Sequence, residues 1–492
     1  MDSPERYVTL AVPENLVRKL TRHALFTPPA RRSRSRIAWF DTDRFDLCER
    51  NISLCLIDAG TARIQRVARG TEDEYLAAYG PDFDFSSVPE DDLRRRLRRA
   101  ARRGLAPVFE TQAIVSSWQL DIEGGKAVLA QLARGEMRSG ERVRRISELR
   151  LSSVDPQDCD HFRVARDLIA DLRLRVEPAA LEVRGLRLAR NQTPQPVKSS
   201  PSPVSPKHSS ADALRAIARA CVAQFQFNEA GASGSNDPEY VHQMRVSMRR
   251  LRSALRAFAP VLPAEVQTRF VPGLRTLAAA LGAARDWDVT LEELILPVAQ
   301  TQPEDARLAT LVAAATQLRE EARAQCAAAL AVGSHHLLLA ELLVYLHCDW
   351  PAATVEEQTL LGEFAARRLD ALHRKVAKAA KRVSADDIPA LHRLRIAIKR
   401  LRYTLEFFAP LFSRKAVRAY LGRMEKLQED LGLLNDLANA YPRLADCAVR
   451  NPAMAEGVAF AHGWYATRLA ELLQRIPGEV RPLAKQTRFW LR

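Results

Sequence analysis

Two stretches of the chain place a histidine and several arginines or lysines at helical spacing. Residues 241–258 read VHQMRVSMRRLRSALRAF, and the same pattern returns 150 residues later, in residues 391–408, as LHRLRIAIKRLRYTLEFF. The cationic positions are His242, Arg245, Arg249, Arg250, Arg252 and Arg256 in the first copy, and His392, Arg395, Lys399, Arg400 and Arg402 in the second. Guanidinium and ammonium groups bind phosphate oxygens through charge-assisted hydrogen bonds. The residue types therefore indicate anion binding.

An α-helix must position these side chains. At about 100° per residue, five side chains of the first copy fall within an arc of about 80° and form a row that extends for roughly 21 Å. They are His242, Arg245, Arg249, Arg252 and Arg256. A neighbouring apolar stripe is predicted to face a core. It comprises Met244, Met248, Leu251, Leu255 and Phe258 in the first copy and Leu394, Ile398, Leu401, Leu405 and Phe408 in the second. The second copy departs from the cationic row at Glu406, which replaces the fifth cation.

A row of like charges one turn apart is unfavourable by itself, so we expect an anionic partner to compensate it. A phosphate chain suits the row, because displacing its counterions adds an entropic gain. The alternative is a solvated basic face, which a single basic helix would favour. Repetition in the same register favours the anion. Each histidine is either a structural hydrogen-bonding group or a direct contact to the anion, and the sequence leaves both open.

Other residues in the same region are expected to support the site. Further cations that join the anion surface, or alternatively form solvated helix faces, are Arg319, Arg323, Lys375 and Lys378. Gly282 and Gly432 occupy matching LG pairs, and we expect them to end a helix or to allow close helix packing, with a ligand role as the alternative. We expect Asp286 and Asp436, four residues further on, to cap a helix or to pair with an arginine.

The two copies resemble the CHAD domain, the conserved histidine α-helical domain. The matching patterns are HxxRxxxRRLR from His242 to Arg252, HxxRxxxKRLR from His392 to Arg402, LGAARDWD at residues 281–288, LGLLND at residues 431–436, and the closing Phe489 and Trp490. The resemblance extends from about Ala211 to Trp490. It implies two four-helix-bundle halves related by a pseudo-twofold axis, with the basic rows lining a shared groove or pore that binds inorganic polyphosphate.

Composition and charge limit the class of protein. The 492 residues are 47% hydrophobic and 27% charged, which is typical of soluble globular domains, and the net charge of +15 favours an acidic partner. The seven cysteines are an odd number without CxxC or Cys/His ligand spacing. This argues against a disulfide framework or a zinc site and favours a reducing cytoplasm. The N-terminus lacks a signal pattern and no apolar run has the length of a membrane span, so we expect neither export nor insertion.

The chain divides into three predicted regions. Residues 1–190 contain strand-like runs at residues 7–12, 52–57, 111–120, 126–133 and 145–151, and helices at residues 14–22 and 160–172. Residues 191–210, rich in proline and serine, are expected to form a flexible to semi-extended linker. Residues 211–492 have helical periodicity in two repeats, about 211–350 and 351–492. The predicted breaks are at Pro260–Pro263, Pro303, Gly333, Pro351, Pro389, Pro410 and Pro452.

The first region resembles the CYTH or triphosphate tunnel metalloenzyme family. The matching segments are TLAVPEN from Thr9, WFDT from Trp39, PVFET from Pro107, GEMRSG from Gly135 and ISEL from Ile146. The resemblance implies an eight-stranded antiparallel tunnel. In that family acidic residues hold Mg²⁺ or Mn²⁺, and inward-pointing arginines and lysines bind a triphosphate.

This sequence lacks most of the residues that such chemistry requires. Glu5 and Glu148 remain of the family's acids, whereas the other acidic positions hold Tyr7, Ala133, Arg150 and Ser152. The family's cationic positions hold Thr9, Cys55, Ile57, Ala68, Gln112, Ile114, Val115, Ser117 and Leu181. We therefore expect a tunnel that is apolar or filled, without metal or hydrolase activity, and a domain that serves as a scaffold or a protein-interaction surface.

A separate arginine cluster lies between Arg94 and Arg103, directly after Glu90, Asp91 and Asp92. Acids in the first turn and bases in the last turn favour a helix through its macrodipole. The cluster is either a solvated surface helix or an auxiliary contact to polyphosphate or nucleic acid.

Together these observations predict an α+β multidomain protein, with an N-terminal antiparallel β tunnel or barrel-like domain and an all-α C-terminal domain. We expect a non-enzymatic, cofactor-free protein that binds inorganic polyphosphate in the cytoplasm, and the family resemblance suggests polyphosphate granules. One alternative is a metal-dependent triphosphate or polyphosphate hydrolase of the CYTH family that its CHAD domain targets. Another is nucleic-acid binding, which is less favoured because Tyr403 is the only aromatic residue inside either motif before the terminal phenylalanines. The oligomeric state stays open.

Overall fold

The structure, a computed structural model, describes residues 7–27, 29–59, 62–69, 73–122, 125–155, 157–235, 237–350, 360–384, 387–484 and 486–491. Two units divide the chain, Met1–Gln195 with Leu339–Trp350 and Pro196–Leu338 with Pro351–Arg492. Two expectations lie outside the described residues, namely the retained acid Glu5 and the helix break at Pro351.

Antiparallel strands dominate the first unit. They are β1 Val8–Ala11, β2 Arg31–Asp41, β3 Ile52–Ala59, β4 Ala62–Arg69, β5 Asp73–Ala78, β6 Ala106–Ile122, β7 Lys126–Ser139, β8 Arg142–Ser153 and β9 Arg175–Val176. They form one sheet in the order β5-β4-β3-β2-β6-β7-β8-β1-β9, and every neighbouring pair is antiparallel. The predicted antiparallel β domain is confirmed, with nine strands in the described residues where the resemblance implied eight. Closure into a tunnel stays a prediction.

Alternation along the strands places one face of the sheet against a core, because successive side chains point to opposite faces. In β7, Val128, Ala130 and Leu132 are buried. Leu132 lies opposite Leu149 of β8, and Ala130 lies opposite Leu151, both of which are also buried. The predicted strand-like run at residues 7–12 contains β1, and the other four predicted runs lie in β3, β6, β7 and β8.

Within the described residues, four α-helices accompany the sheet in sequence: α1 Glu14–Leu20, α2 Asp91–Arg103, α3 Asp160–Leu172 and α4 Leu181–Ala189. The arginine-rich α2 buries Leu93, Leu97 and Ala100, and it has acids in its first turn and arginines in its last, as predicted. Arg96 forms an ion pair with Asp92 at 2.8 Å. These contacts favour a solvated surface helix with a buried apolar stripe.

The second unit is helical. Its helices are α5 Ser210–Gly234, α6 Pro238–Ala257, α7 Ala264–Arg269, α8 Val271–Val289, α9 Leu296–Thr301, α10 Ala306–Ala331, α11 Ser334–Cys348, α12 Leu361–Ala380, α13 Ile388–Phe408, α14 Arg414–Arg450 and α15 Ala455–Ala484. A π-helix, Thr290–Ile295, joins α8 to α9. Helix α6 packs against α5 and α8, and α13 packs against α12 and α14. This confirms the predicted helical domain, whereas its division into two four-helix bundles about a pseudo-twofold axis stays a prediction.

Helix α11 begins in the second unit, and its residues from Leu339 onward belong to the first. Near its end Cys348 forms a disulfide with Cys159, which is 189 residues away in sequence. The sequence argued against disulfide bonding, and this pair corrects that expectation. The sequence did not indicate it because spacing along the chain carries no information about a contact between such distant residues.

The proline-rich segment 191–210 contains no helix before Ser210, but it is not a free tether. The backbone N–H of Val197 donates to Asn228 Oδ1 at 2.9 Å, and Asn228 Nδ2 donates back to the Val197 carbonyl at 2.9 Å. Ser202 donates to the Phe407 carbonyl at 2.6 Å, and Val204 is buried. The prediction of a flexible linker is therefore corrected for the part from Val197 onward, because specific hydrogen bonds attach it to the helices of the second unit.

In the part of the chain that the structure describes, no single helix has the length and apolar composition to cross a membrane. Helices α10 and α11 meet that criterion only as a pair, and they are bent by 55° relative to each other.

Candidate anion-binding site

The two sequence copies form helices α6 and α13, here called the motif helices. Both start in the same way. Asp237 caps α6 by accepting a hydrogen bond from the Glu239 N–H, and Asp387 caps α13 by accepting one from the Ala390 N–H. Each helix has a proline in its first turn, where the missing N–H costs no intrahelical bond. These local signals set the start of each helix.

The predicted apolar stripe is confirmed at all ten positions. Met244, Met248, Leu251, Leu255, Phe258, Leu394, Ile398, Leu401, Leu405 and Phe408 are all 0% exposed. Burial of each such side chain contributes about 1.5–3 kcal/mol to folding. The core therefore holds both motif helices in a fixed rotation, with the cationic rows at the edge of the packed face.

The motif helices also contact each other. The Phe258 and Phe408 rings lie 5.4 Å apart, and the Arg249 guanidinium lies 5.5 Å from the centre of the Tyr403 ring. Arg250 donates to Glu406 at 3.3 Å. These contacts place the two cationic rows on one surface.

Four cations of this surface, Arg245, Arg249, Arg395 and Lys399, act on one another electrostatically, and we call them the cation cluster. Burial, followed by the charges of Arg395 and Arg249, lowers the pKa of Lys399 to about 7. Burial also lowers the pKa of Arg395, and Arg249 adds to this effect while Asp436 opposes it. Lys399 makes no hydrogen bond or ion pair within the described residues. The cation cluster is therefore destabilised in the absence of an anion.

Several nitrogen atoms of the rows are buried without a hydrogen-bond partner in the described part of the chain. They are Nε of Arg249, Arg252 and Arg395 and Nδ1 of His242. A buried donor without a partner costs about 1–3 kcal/mol. An anion that accepts these hydrogen bonds would remove that cost, and so the unmet donors point to a ligand.

Other cations of the rows have acidic partners. Arg245 pairs with Asp286 at 2.9 Å, and Arg402 pairs with Glu406 at 2.8 Å. Asp286 also binds Arg443 at 3.1 Å, which confirms its expected role as a partner of arginine. Asp436 influences Arg395 only at longer range. Burial, followed by the charges of Arg252 and Arg400, lowers the pKa of Arg256, so Arg256 lies near both of these cations.

The two motif histidines differ. His242 is half-buried, and burial followed by the charge of Arg285 lowers its pKa. His392 is exposed and its Nδ1 is hydrogen-bonded to Asn435 Oδ1 at 3.0 Å. Arg285 and Asn435 occupy equivalent positions in the two LG segments. This difference gives His242 a charged neighbour and His392 a hydrogen-bonding amide. The second histidine has a structural partner, whereas the first has an unmet Nδ1.

A cavity of about 1100 Å³ opens beside the cation cluster. Its lining includes the predicted residues Arg249, Arg250, Lys399 and Arg402. It also includes Arg414 and Arg418 of α14, which sequence analysis missed, and Ser199, Ser200 and Ser202 of the segment predicted to be a linker. The one available signal was the spacing of Arg414 and Arg418 by one helical turn. Three glutamates, Glu406, Glu425 and Glu429, complete its charged lining.

The four outlying predicted cations lie elsewhere. Arg319 and Arg323 line a different cavity of about 780 Å³. There Arg319 pairs with Glu292 at 3.6 Å, and Arg323 pairs with the buried Asp288 at 2.7 Å. Lys375 and Lys378 are exposed on α12. The structure therefore does not bring these four residues to the cavity that Lys399 lines.

The two LG glycines do not have the packing role that we expected. Gly282 lies inside α8 and Gly432 lies inside α14, so neither residue ends a helix. A Cβ atom at either position would meet nothing within 4 Å. The expectation of close helix packing is wrong, because both glycines face open space.

The first unit contains an apolar cluster at positions where the family has cations and one acid. Cys55, Ile57, Ala133 and Leu181 belong to one hydrophobic cluster, whose buried centre includes the stacked rings of Trp39 and Phe109. Burial raises the pKa of the Cys55 thiol to about 11, although the nearby Arg66 opposes the shift. These replaced positions are packed, which confirms that part of the expectation.

The rest of the first unit is not apolar, however. A cavity of about 1440 Å³ is lined by the arginines Arg32, Arg34, Arg36, Arg134, Arg144, Arg145 and Arg184, and by the acids Glu14, Asp58, Glu136, Glu148 and Glu177. Glu148, the retained acid, pairs with Arg184. The prediction of an apolar or filled interior is corrected here, because arginines of β2, β7, β8 and α4 at positions outside the family pattern supply the charge.

The fold and the site together define a class: a two-domain α+β protein whose helical unit carries a duplicated helix with a histidine and a row of cations. The chain belongs to the CHAD domain family, whose match covers residues 216–445.

Several solved structures are similar to the chain, and they include the following three. The crystal structure of the CHAD domain from the plant Ricinus communis is 32% identical, with a TM-score of 0.51, and the match covers 60% of this chain and 98% of that one. PptA from Streptomyces chartreusis is 18% identical over 57% of this chain and 100% of that one, with a TM-score of 0.43. A candidate adenylyl cyclase from Hippeastrum, described as having a dominant triphosphatase activity, is 12% identical over 38% and 96%, with a TM-score of 0.26.

Proposed function

We propose that this protein binds inorganic polyphosphate, without catalysis, through the cationic rows of its two motif helices. The observation that carries the proposal is the set of buried donors on Arg249, Arg252 and Arg395 that lack partners within the described residues. Arg249 and Arg395 belong to the destabilised cation cluster, and Arg249 also lines a cavity of about 1100 Å³. Phosphate oxygens would accept hydrogen bonds from these donors, and the phosphate charge would neutralise the cation cluster.

Polyphosphate fits this surface better than a single small anion does. The cations recur over about 21 Å of helix, and a chain of phosphates can contact successive turns. Each neutralised phosphate releases condensed counterions, so affinity should fall steeply with salt. The acids that pair with Arg245 and Arg402 keep the free surface from carrying its full positive charge.

The test is calorimetric titration of long-chain polyphosphate into the full chain at several salt concentrations. We expect Arg395→Ala combined with Lys399→Ala to weaken binding at least about tenfold, or about 1.4 kcal/mol. Arg18→Ala combined with Lys19→Ala is the matched control, because it removes the same two charges from exposed positions on α1. Equal affinity in both variants, or no binding by the parent, would contradict the proposal and show that the rows are solvated helix faces.

Nucleic acid is the rival polyanion. Aromatic stacking on bases contributes about 1–3 kcal/mol per base, and Tyr403 is the aromatic residue that the motifs place among the cations. We therefore expect polyphosphate to displace single-stranded RNA or DNA from the protein at equal phosphate concentration. Retention of the nucleic acid would favour the rival function.

The second rival is a metal-dependent hydrolase in the first unit. Its arginine-lined cavity has the polarity to hold an anion, but Glu148 is engaged by Arg184. Our proposal predicts no phosphate release from triphosphate or polyphosphate with Mg²⁺ or Mn²⁺ above the level of a Glu148→Gln variant. Metal-dependent release that this substitution abolishes would establish the hydrolase instead.

We further propose that the protein associates with polyphosphate granules in the cytoplasm. Fluorescence microscopy of the tagged full chain in cells with and without polyphosphate tests this proposal. Foci that persist in cells lacking polyphosphate would contradict it.

A further inference from the structure

A group of side chains that could bind a metal ion lies in the helical unit, and none of its members belongs to the cationic rows. Glu229 of α5 and the adjacent His335 and His336 of α11 place their ligand atoms within 4.8 Å of one another. Nε2 of His335 lies 2.6 Å from Glu229 Oε1, and Nε2 of His336 lies 3.2 Å from the same oxygen. The three residues are 7%, 4% and 5% exposed.

The fold holds these side chains in place. Gly333, with a φ of +73°, precedes α11 and lets the chain turn so that both histidines lie in the first turn of the new helix. The two imidazole rings pack together with centroids 4.1 Å apart. Phe225, one turn before Glu229 on α5, packs edge-on against the His335 ring at 5.5 Å. The donors therefore converge before any ligand binds.

The hydrogen bonding is incomplete as it stands. His336 Nε2 is buried and satisfies no complete hydrogen bond within the described residues, although it lies 3.2 Å from Glu229 Oε1. Two ring nitrogens and one carboxylate oxygen form the donor set that zinc prefers, with bonds of about 2.0–2.2 Å. Donors around a tetrahedral ion of that size lie about 3–3.5 Å apart. The spacing at His336 already fits, and a small rotation of His335 would complete the set.

We propose that Glu229, His335 and His336 bind one divalent transition-metal ion of the zinc class, with a water molecule as the fourth ligand, and that this ion joins α5 to α11. The sequence argued against a zinc site because it contains no Cys/His ligand spacing, and Glu229 lies 106 residues before His335. This site would not take part in anion binding. Its role is to fasten the helix that follows Gly333 to the first helix of the unit.

The test uses the full chain without a histidine tag. Elemental analysis of the purified protein, and titration of Zn²⁺ or Co²⁺ into chelator-treated protein, measure the stoichiometry. We expect about one ion per chain, a rise in melting temperature on metal addition, and a Co²⁺ visible spectrum typical of tetrahedral nitrogen and oxygen ligands. Absence of uptake by the folded parent would overturn the proposal and leave the cluster as a hydrogen-bonded network.

Variants separate a metal site from a merely structural cluster. His336→Gln and Glu229→Gln should each reduce the metal content at least tenfold and remove the metal-induced rise in melting temperature. His373→Gln is the matched control, since His373 is also a buried histidine of this unit, hydrogen-bonded to Tyr420 at 2.8 Å, and lies outside the cluster. This control should lower stability but keep the metal. Equal metal content in all three variants would overturn the assignment.

Discussion

Arg250 of α6 donates a hydrogen bond to Glu406 of α13 at 3.3 Å, and the two side chains are only 12% and 22% exposed. Glu406 is the position at which the second copy of the motif departs from the first, where Arg256 stands. It also accepts a bond from Arg402 at 2.8 Å. The departure therefore has a structural role, because one carboxylate joins the two motif helices and relieves the repulsion between their cations.

We predict that Glu406→Gln lowers the free energy of unfolding by about 1–3 kcal/mol, because Arg250 and Arg402 lose a charged partner in a poorly solvated place. The same change should strengthen polyphosphate binding, since it frees two cations. Denaturant titration and calorimetry measure the two effects. Glu429→Gln is the control: it removes the same charge from the same cavity at an exposed position without an ion pair in the described residues. Equal destabilisation by both changes would contradict the role of the Arg250–Glu406 bond.

The pKa of about 7 at Lys399 predicts that polyphosphate binding weakens as pH rises from 6 to 8. The anion favours the protonated amine, so binding near pH 7 should take up a proton. Calorimetry in buffers with different ionisation enthalpies measures that uptake. Lys399→Arg should flatten the pH dependence, because a guanidinium stays charged over this range. An unchanged pH profile in this variant would contradict the assignment.

The same group affects stability, and the sign follows from linkage. The folded pKa of Lys399 lies below the unfolded value of about 10.4, so the unfolded state binds more protons between these two values. Stability should therefore rise with pH from about 7 to about 10.4. Lys399→Met should stabilise the protein most below pH 7, where the parent must bury a charged amine, and this gain should shrink towards pH 10. Thermal melts across the pH range measure the difference, and a gain that is independent of pH would contradict it.

Gly282→Ala and Gly432→Ala should each stabilise the protein by about 0.5–1 kcal/mol. Glycine is unfavourable inside a helix, and a Cβ atom at these positions meets nothing within 4 Å. Gly457→Ala provides the contrast, since its Cβ would lie 2.6 Å from the Arg307 carbonyl oxygen. Chemical denaturation should show a higher free energy of unfolding for Gly282→Ala and Gly432→Ala and a lower one for Gly457→Ala. Destabilisation at position 282 or 432 would show that the glycines have a packing role after all.

Asn228→Ala should release the segment that begins at Val197. Asn228 is 0% exposed and makes two hydrogen bonds to the Val197 backbone and one to the Gln224 carbonyl. We expect a loss of about 1–3 kcal/mol from the unpaired groups. Limited proteolysis should then cut residues 197–209 faster than in the parent, whereas a control change at the exposed Lys207 should leave the rate unaltered. Unchanged cleavage in Asn228→Ala would contradict the anchoring role.

The sequence by itself determined the features that depend on neighbours along the chain. The helical period of 3.6 residues predicted which ten side chains of the motif helices face the core, and all ten are buried. Alternation and β-branched content marked five of the strands. These predictions succeeded because the physical cause of each feature lies within a few residues of it.

Only the tertiary structure decided which distant residues meet. The bond from Arg250 to Glu406, the contribution of Arg414 and Arg418 to the cavity, and the convergence of Glu229 with His335 each join segments far apart in sequence. The polar cavity of the first unit likewise depends on the order of strands in its sheet. Local periodicity predicts which face of a helix or strand is apolar, but it does not predict which other element packs against that face. That choice comes from the packing of the whole chain, and it sets the charge and the hydrogen bonding of the site.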